Sequence, residues 1–267
     1  MKIRHYILLC VLVSTWVSCS TQKNTAASRA FHQMQTKYNI YYNGAISFLE
    51  GEQAILEANK DDYSSVLNLY PISYHDAASA ASSQMDRTIE KCRKCIKLHS
   101  IKARPKVNYD KKRKDPKYAA WLEQEEFNKE MGNAWMLLAK AEFHKGDFLG
   151  SVSTFNYITR HYSHDADMVA QCQLWIARAY GEMGWLYEAE DVLRKVQVDN
   201  LSRKHATLYA SVSADIMLKT KQYKEAIPFI KLALPEESKK MYRPRFQFVL
   251  GQIYQMQGDR KQAQNAF

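Results

Sequence analysis

The chain has 267 residues, 46% of them hydrophobic, with nine Gly, six Pro and five Cys, and a formal net charge of +10. So little Gly and Pro argues against a turn-rich β protein and for a helical one, and five scattered cysteines exclude a fold built on a disulfide framework. The basic excess is local: between Lys91 and Lys117 twelve Lys and Arg stand against only Asp110 and Asp115, and the remainder of the chain balances.

Lys2 and Arg4 precede the apolar run Tyr6–Val13, the order of a secretory signal. The run is shorter than the ~20 apolar residues that a spanning helix needs. Trp16-Val17-Ser18-Cys19 resembles a bacterial lipobox, with Trp16 where such motifs prefer Leu. The resemblance implies a leader over residues 1–18, removed so that Cys19 becomes the lipidated first residue; the alternative is ordinary cleavage near Ser18, leaving Cys19 an incidental thiol. By likeness to other lipoproteins, Ser20 and the lack of acids over Ser20–Asn24 imply an outer-membrane protein facing the periplasm.

Residues 19–100 form an N-terminal helical region. Ser28 to Asn59 carries apolar residues at helical spacing and predicts a helix pair, read as a degenerate repeat, with breaks at Gly44 and Gly51. "NLYPIS" (Asn68–Ser73) predicts a loop. Asp76 to His99 predicts one long helix with Met85, Ile89, Cys92 and Ile96 on a stripe. Residues 101–117 follow as a basic, Pro-containing linker, then a Glu-rich helix from Tyr118 to Glu130, with a break at Gly132-Asn133.

The second half is periodic. The small residues Ala139/Ser151, Ala177/Ala189, Ala214/Ala226 and Gly251/Ala263 pair at the same separation in four successive units, 37 or 38 residues apart. Four positions beyond each second member stands Phe155, Leu193, Ile230 or Phe267, and "HKGDF", "EMGWL", "TKQYK" and "MQGDR" supply turns. Each unit reads as helix, tight turn, helix, with small residues where the two helices cross. The pattern resembles the tetratricopeptide repeat, stretched beyond its usual period of about 34. The fold class is therefore all-α, a helix-turn-helix repeat solenoid, and residues 118–267 hold one helix plus four repeats. Lys221 stands in place of the third turn glycine and Pro228 lies inside that unit's second helix. The fourth repeat is incomplete at Phe267, so a longer, C-terminally continued chain is expected.

"TKYNIYYNG", "IEKCRKCIKLHSI" and "NAWMLLAKAEFHKGDFLGSVSTFNYI" are similar to the N-terminal part of the SprE/PorW family of gliding-motility and type IX secretion lipoproteins. That resemblance implies a non-enzymatic outer-membrane scaffold or adaptor whose partners are proteins of an envelope secretion or assembly complex. A role like that of BamD, another repeat-bearing lipoprotein of outer-membrane protein assembly, is the alternative.

The face of the first helices is the expected partner groove, lined by Asn133, Met136, Lys140, Phe143, Leu174, Arg178, Ser211, Asp215, Arg245, Phe248 and Gln252. Lys140 and Arg178 occupy equivalent places in successive units, which suits an extended or helical peptide with an acidic group; the lesser alternative is a groove filled by a missing C-terminal part of the protein itself. Lys106, Lys111, Lys112, Arg113 and Lys114 form a candidate electrostatic contact for phosphate-rich lipid heads or an acidic partner, or a solvated linker, or a segment folded back on Glu123, Glu125, Glu126 and Glu130. Behind a signal peptide, nucleic acid is not an expected partner. Cys92, Cys95 and His99 share one helical face, yet a zinc site wants a fourth ligand and a redox dithiol a helix N-terminus. They read as small core residues, with a metal or thiol-redox protein as a lesser alternative. No catalytic motif, metal site, cofactor or small-molecule substrate is expected.

Overall fold

The computed structural model describes residues 21, 23–73, 75–198, 201–236 and 242–267. The leader and Cys19 lie outside the described residues. Every regular element among the described residues is helical.

The first helix, α1 (Ala26–Tyr38), passes through a π-helical turn (Asn39–Gly44) into α2 (Ala45–Ala58) without leaving helical backbone. Gly44 and Gly51 therefore do not break the chain as the sequence suggests. Gly51 permits close approach instead, since a Cβ there would collide with the end of Met85. A 3₁₀ turn (Pro71–Ser73) precedes α3 (His75–Ala80) and α4 (Ser82–His99), so the single long helix expected from Asp76 is interrupted at Ala81. Two short helices follow, α5 (Tyr109–Lys114) and α6 (Pro116–Leu122). Asp115 caps α6 by accepting from the amides of Lys117 and Tyr118, and Pro116 occupies its first turn, where a missing N–H costs nothing. The helix expected to reach Glu130 thus ends at Leu122.

Four helix pairs then repeat: α7 (Met131–His144) with α8 (Phe148–His161), α9 (Ala166–Glu182) with α10 (Leu186–Lys195), α11 (Arg203–Lys219) with α12 (Tyr223–Ala233), and α13 (Arg243–Met256) with α14 (Arg260–Ala266). Gly132 and Asn133 lie in the first turn of α7 rather than at a break; Gly132 lets Met168 come close. The four turns are closed by the same bond. The amides of Asp147, Trp185, Gln222 and Asp259 donate to the carbonyls of Glu142, Tyr180, Met217 and Tyr254 at 3.0, 2.9, 2.8 and 3.0 Å. Such a bond terminates a helix through a residue of positive φ. Gly146, Gly184 and Gly258 fill that position in three units and Lys221, at φ 59°, in the other.

The crossing residues are buried in every unit, from Ala139 and Ser151 to Gly251 and Ala263. The Ser151 hydroxyl donates to the Ala139 carbonyl at 2.9 Å, tying the first pair at its crossing. Pro228 sits within α12 without ending it. One apolar cluster runs from Phe48, Ile55, Met85 and Cys92 through Phe143, Phe155 and Trp175 to Phe246 and Ile253. The N-terminal helices therefore extend the array's core rather than forming a separate one. Glu142, itself buried, accepts from Arg93 of α4 at 3.1 Å and from Thr154 of α8 at 2.6 Å, which fixes α7 between them.

A left-handed conformation costs a non-glycine residue roughly 1–2 kcal/mol, part of which glycine returns as unfolded-state entropy. Lys221→Gly is expected to stabilise the fold by about 0.5–1 kcal/mol, read as a higher midpoint in thermal or urea unfolding.

Candidate functional site: a repeat groove and the segment it holds

The face of the first helices holds a ligand supplied by the chain itself. Between α2 and α3, residues 59–73 run across α9, α11 and α13. A loop in such a place must satisfy its own backbone, and two side chains of α13 do this. Gln252 accepts from the Leu67 amide and donates to the Ser65 carbonyl, each at 3.0 Å. Arg245 donates to the Asn68 carbonyl at 2.9 Å and grips Asp61 through two bonds of 2.8 Å. Both charged side chains are largely covered, at 10% and 16% exposure. Burial works against the Asp61 charge, but bonds from Arg245 and Asn59 outweigh it and hold the carboxyl below its ordinary pKa.

Apolar anchoring accompanies these bonds. Leu67, Leu69, Tyr70 and Ile72 are all buried, each contributing on the order of 1.5–3 kcal/mol. Tyr63 meets the ring of Phe248 edge-on, and Tyr70 does the same to Tyr242 and Phe246. On its other side Tyr70 lies under Arg178, whose guanidinium carbon is 3.7 Å from the ring centre and 4.9 Å from those of Phe143 and Trp175. At the end of the segment, the Ser73 hydroxyl donates to Glu182 at 3.1 Å, and Lys219 reaches Glu182 at 3.0 Å and Asp215 at 2.6 Å. Burial, the largest single influence on Lys219, opposes its charge, yet Asp215 and Glu182 outweigh it and raise its pKa.

The groove positions read from the sequence divide accordingly. Arg245, Phe248 and Gln252 contact the segment directly, and Arg178 is buried between Tyr70 and Phe143, so that neither it nor the buried Phe143 is open to a partner. Asp215 is buried beside Lys219. Lys140 stands 5.2 Å from the centre of the Trp175 ring, which it shares with Arg178. Met136 is buried in the core, and Asn133 is exposed and donates to Glu130. Two positions fall elsewhere: Leu174 packs between repeats with Ala189, Leu193 and Val212, and the buried Ser211 hydroxyl donates back to the Thr207 carbonyl. Asp61, Leu67, Tyr70, Glu182 and Lys219 were missed. The available signal was the apolar content of Leu67 to Ile72, too high for an ordinary solvated loop.

Residues 101–117 are not an unstructured linker, since they contain α5. Lys106 and the run Lys111–Lys114 are exposed on it. Of the acids expected to fold back, Glu123 lies 3.6 Å from Lys112, while Glu126 accepts from the Ser100 hydroxyl and the Ile101 amide at the base.

Cys92 and Cys95 are free and buried in different apolar clusters. Burial, with lesser contributions from Cys95 and Glu142, pushes the Cys92 thiol up to about 12, and burial raises Cys95 as well. His99 faces His32, with their Nδ1 atoms 2.9 Å apart, so one ring must donate and the other accept. Beside them the buried amide of Asn128 donates to Thr36 at 2.8 Å and to the His99 carbonyl at 2.9 Å, joining α1 and α4 to the loop that precedes α7. Among the described residues no three His, Cys, Asp or Glu converge as metal ligands, and no helix is long and apolar enough to cross a membrane.

No family model and no curated protein matches the chain.

Arg245→Ala leaves Asp61 and the Asn68 carbonyl without their main partner in a covered site, and is expected to cost about 2–4 kcal/mol in urea unfolding. Gln252→Ala removes two backbone bonds and should cost about 1–2 kcal/mol. Burial, followed by the His32 charge, lowers the His99 pKa. The unfolded chain therefore binds this proton more readily, and stability present above about pH 6.5 should fall as pH drops from there toward the folded value. Thermal midpoints across pH 7.5 to 5.5 should show this loss, and His99→Gln should reduce it.

Proposed function

We propose that the chain is a non-enzymatic tetratricopeptide-like scaffold, lipid-anchored through Cys19 at the periplasmic face of the outer membrane, that binds proteins of a secretion or gliding-type envelope machinery. The observation carrying this reading is the occupied groove. Its side-chain amide and guanidinium groups grip the backbone of an extended segment while aromatic rings take its Tyr side chains. This is the chemistry of polypeptide recognition rather than of small-molecule turnover.

With the groove filled in cis, partners would meet faces that the segment leaves open. One is a stripe of exposed Phe31, Met34, Tyr38, Tyr42, Ile46 and Leu49 along α1, the π turn and α2. Steps of three and four residues place these side chains along one seam, which suits an amphipathic helix of a protein partner. The likeness of the Tyr-Asn-Gly stretch and of the first repeat to SprE/PorW proteins points to the machinery.

The test is gentle crosslinking of tagged protein in its own cell, followed by identification of what copurifies with the outer-membrane fraction. Secretion or gliding components are expected, and Tyr38→Glu with Tyr42→Glu should reduce their recovery. Recovery of barrel-assembly proteins would transfer the assignment to outer-membrane protein assembly. Recovery unaffected by the two substitutions would remove the stripe as the docking face.

A further inference from the structure

The basic excess is carried on a built projection at the end of the molecule where the described chain begins. Its base is fixed on several sides. The Phe127 amide donates to the Ile101 carbonyl at 2.9 Å, and Arg104 donates to the carbonyls of Leu122 and Gln124 at 2.5 and 3.0 Å. Asn24 donates to the Ala103 carbonyl at 2.8 Å, and Arg29 of α1 lies over the Trp121 ring at 5.1 Å. The Asn108 amide donates to the Tyr118 hydroxyl at 3.2 Å, bringing the two arms together. These contacts hold Lys23 and Arg29 beside Arg104, Lys106, Tyr118 and Trp121 around a cleft of about 470 Å³.

Beyond that base, Lys106 and all four residues from Lys111 to Lys114 are exposed. Tyr109 is 78% exposed at the tip, with Val107 exposed nearby. Counting Lys23, Arg29 and residues 102–117, ten cations stand against Asp110 and Asp115. In the sequence Cys19 precedes Lys23 by only four residues.

We propose that this projection is a second membrane-contact site, seating its cations on an anionic phospholipid surface with Tyr109 and Val107 at the level of the headgroups. The inference rests on the membrane-anchored reading above. An acidic protein surface would satisfy the charge, but it gives no reason for a bare aromatic ring among lysines. At a bilayer interface an aromatic ring has a favoured depth, and lysine stems can lie along apolar material with their ammonium groups in the headgroup layer. Anionic lipid attracts each basic residue near its surface, and the attraction is screened by salt.

Residues 21–267 contain every element described above and allow a test without the acyl chains. Their sedimentation would be measured with vesicles of phosphatidylcholine, with and without phosphatidylglycerol, and against polyglutamate as a protein-like anion. Binding about tenfold or more stronger with phosphatidylglycerol, and weakened by added salt, is expected. K111E with K112E and K114E should abolish the gain, and Tyr109→Ala should reduce it severalfold, both with unchanged thermal unfolding because these side chains are exposed. Equal binding to both vesicle types, or a charge-reversed variant that binds as before, would overturn the proposal. Binding to polyglutamate stronger than to phosphatidylglycerol vesicles would overturn it in favour of an acidic protein partner. The anchor is read separately, from the mass of the mature N-terminus: an unlipidated Cys19 defeats the anchor, whereas failed vesicle binding beside a lipidated Cys19 defeats only the projection.

Discussion

The architecture depends on satisfying the backbone of one irregular segment in a place where water is largely excluded. Residues 59–73 bring apolar side chains to the repeat face, and their peptide groups come with them. Without Gln252 and Arg245 those groups would be desolvated and unpaired, a penalty large enough to cancel the gain from the side chains. The amide of Gln252 imitates a neighbouring strand, offering one acceptor and one donor to the same stretch of backbone. The guanidinium of Arg245 adds a carbonyl and a carboxylate. The buried acids around Lys219 and the covered cation of Arg178 follow from the same arrangement, because the segment shields all of them at once.

The repeat geometry was legible because it is local. A small residue every unit, a glycine at three of four turns and a large apolar residue four positions on are enough to predict helix pairs, and the four matching turn bonds show each pair ending in the same way. Even Lys221, an exception in the pattern, adopts the glycine conformation, and its unit closes with the same turn bond as the others. The N-terminal helices were harder to bound. Glycine is a poor helix former, yet Gly44 and Gly51 remain helical because Leu137 and Met85 pack against them. That preference belongs to tertiary contact, not to the local sequence.

The groove was legible as a set of positions and illegible as a state. Periodicity identifies which residues line a face, but nothing periodic reveals what lies on it. Arg245 looked like a free groove cation because Asp61, its partner, is far away in sequence. Leu174 packs between repeats with Ala189, Leu193 and Val212 instead, and an apolar residue at that position reads alike for the groove and for the inter-repeat contact. The basic stretch shows the converse difficulty. Lysine, arginine and proline suggest an open linker, whereas its order comes from Arg104 donating to the Leu122 carbonyl outside the run, and from Asn24 and Tyr118, themselves outside it, bonding the Ala103 carbonyl and the Asn108 amide within it.

Most helical solenoids can fold from any point, since each unit touches only its neighbours and their stabilities nearly add. The strap of residues 59–73 removes that freedom, because Asp61 and Arg245 are separated by 184 residues and Ser65 and Gln252 by 187. The chain is thereby closed into a loop whose first part can be completed only by its last. Because the chain emerges N-terminus first, Leu67 and Tyr70 arrive in the folding compartment well before α13, the helix that shelters them. During that interval the apolar segment is a natural substrate for a chaperone, and the final docking joins units that would otherwise melt one by one into a single cooperative transition.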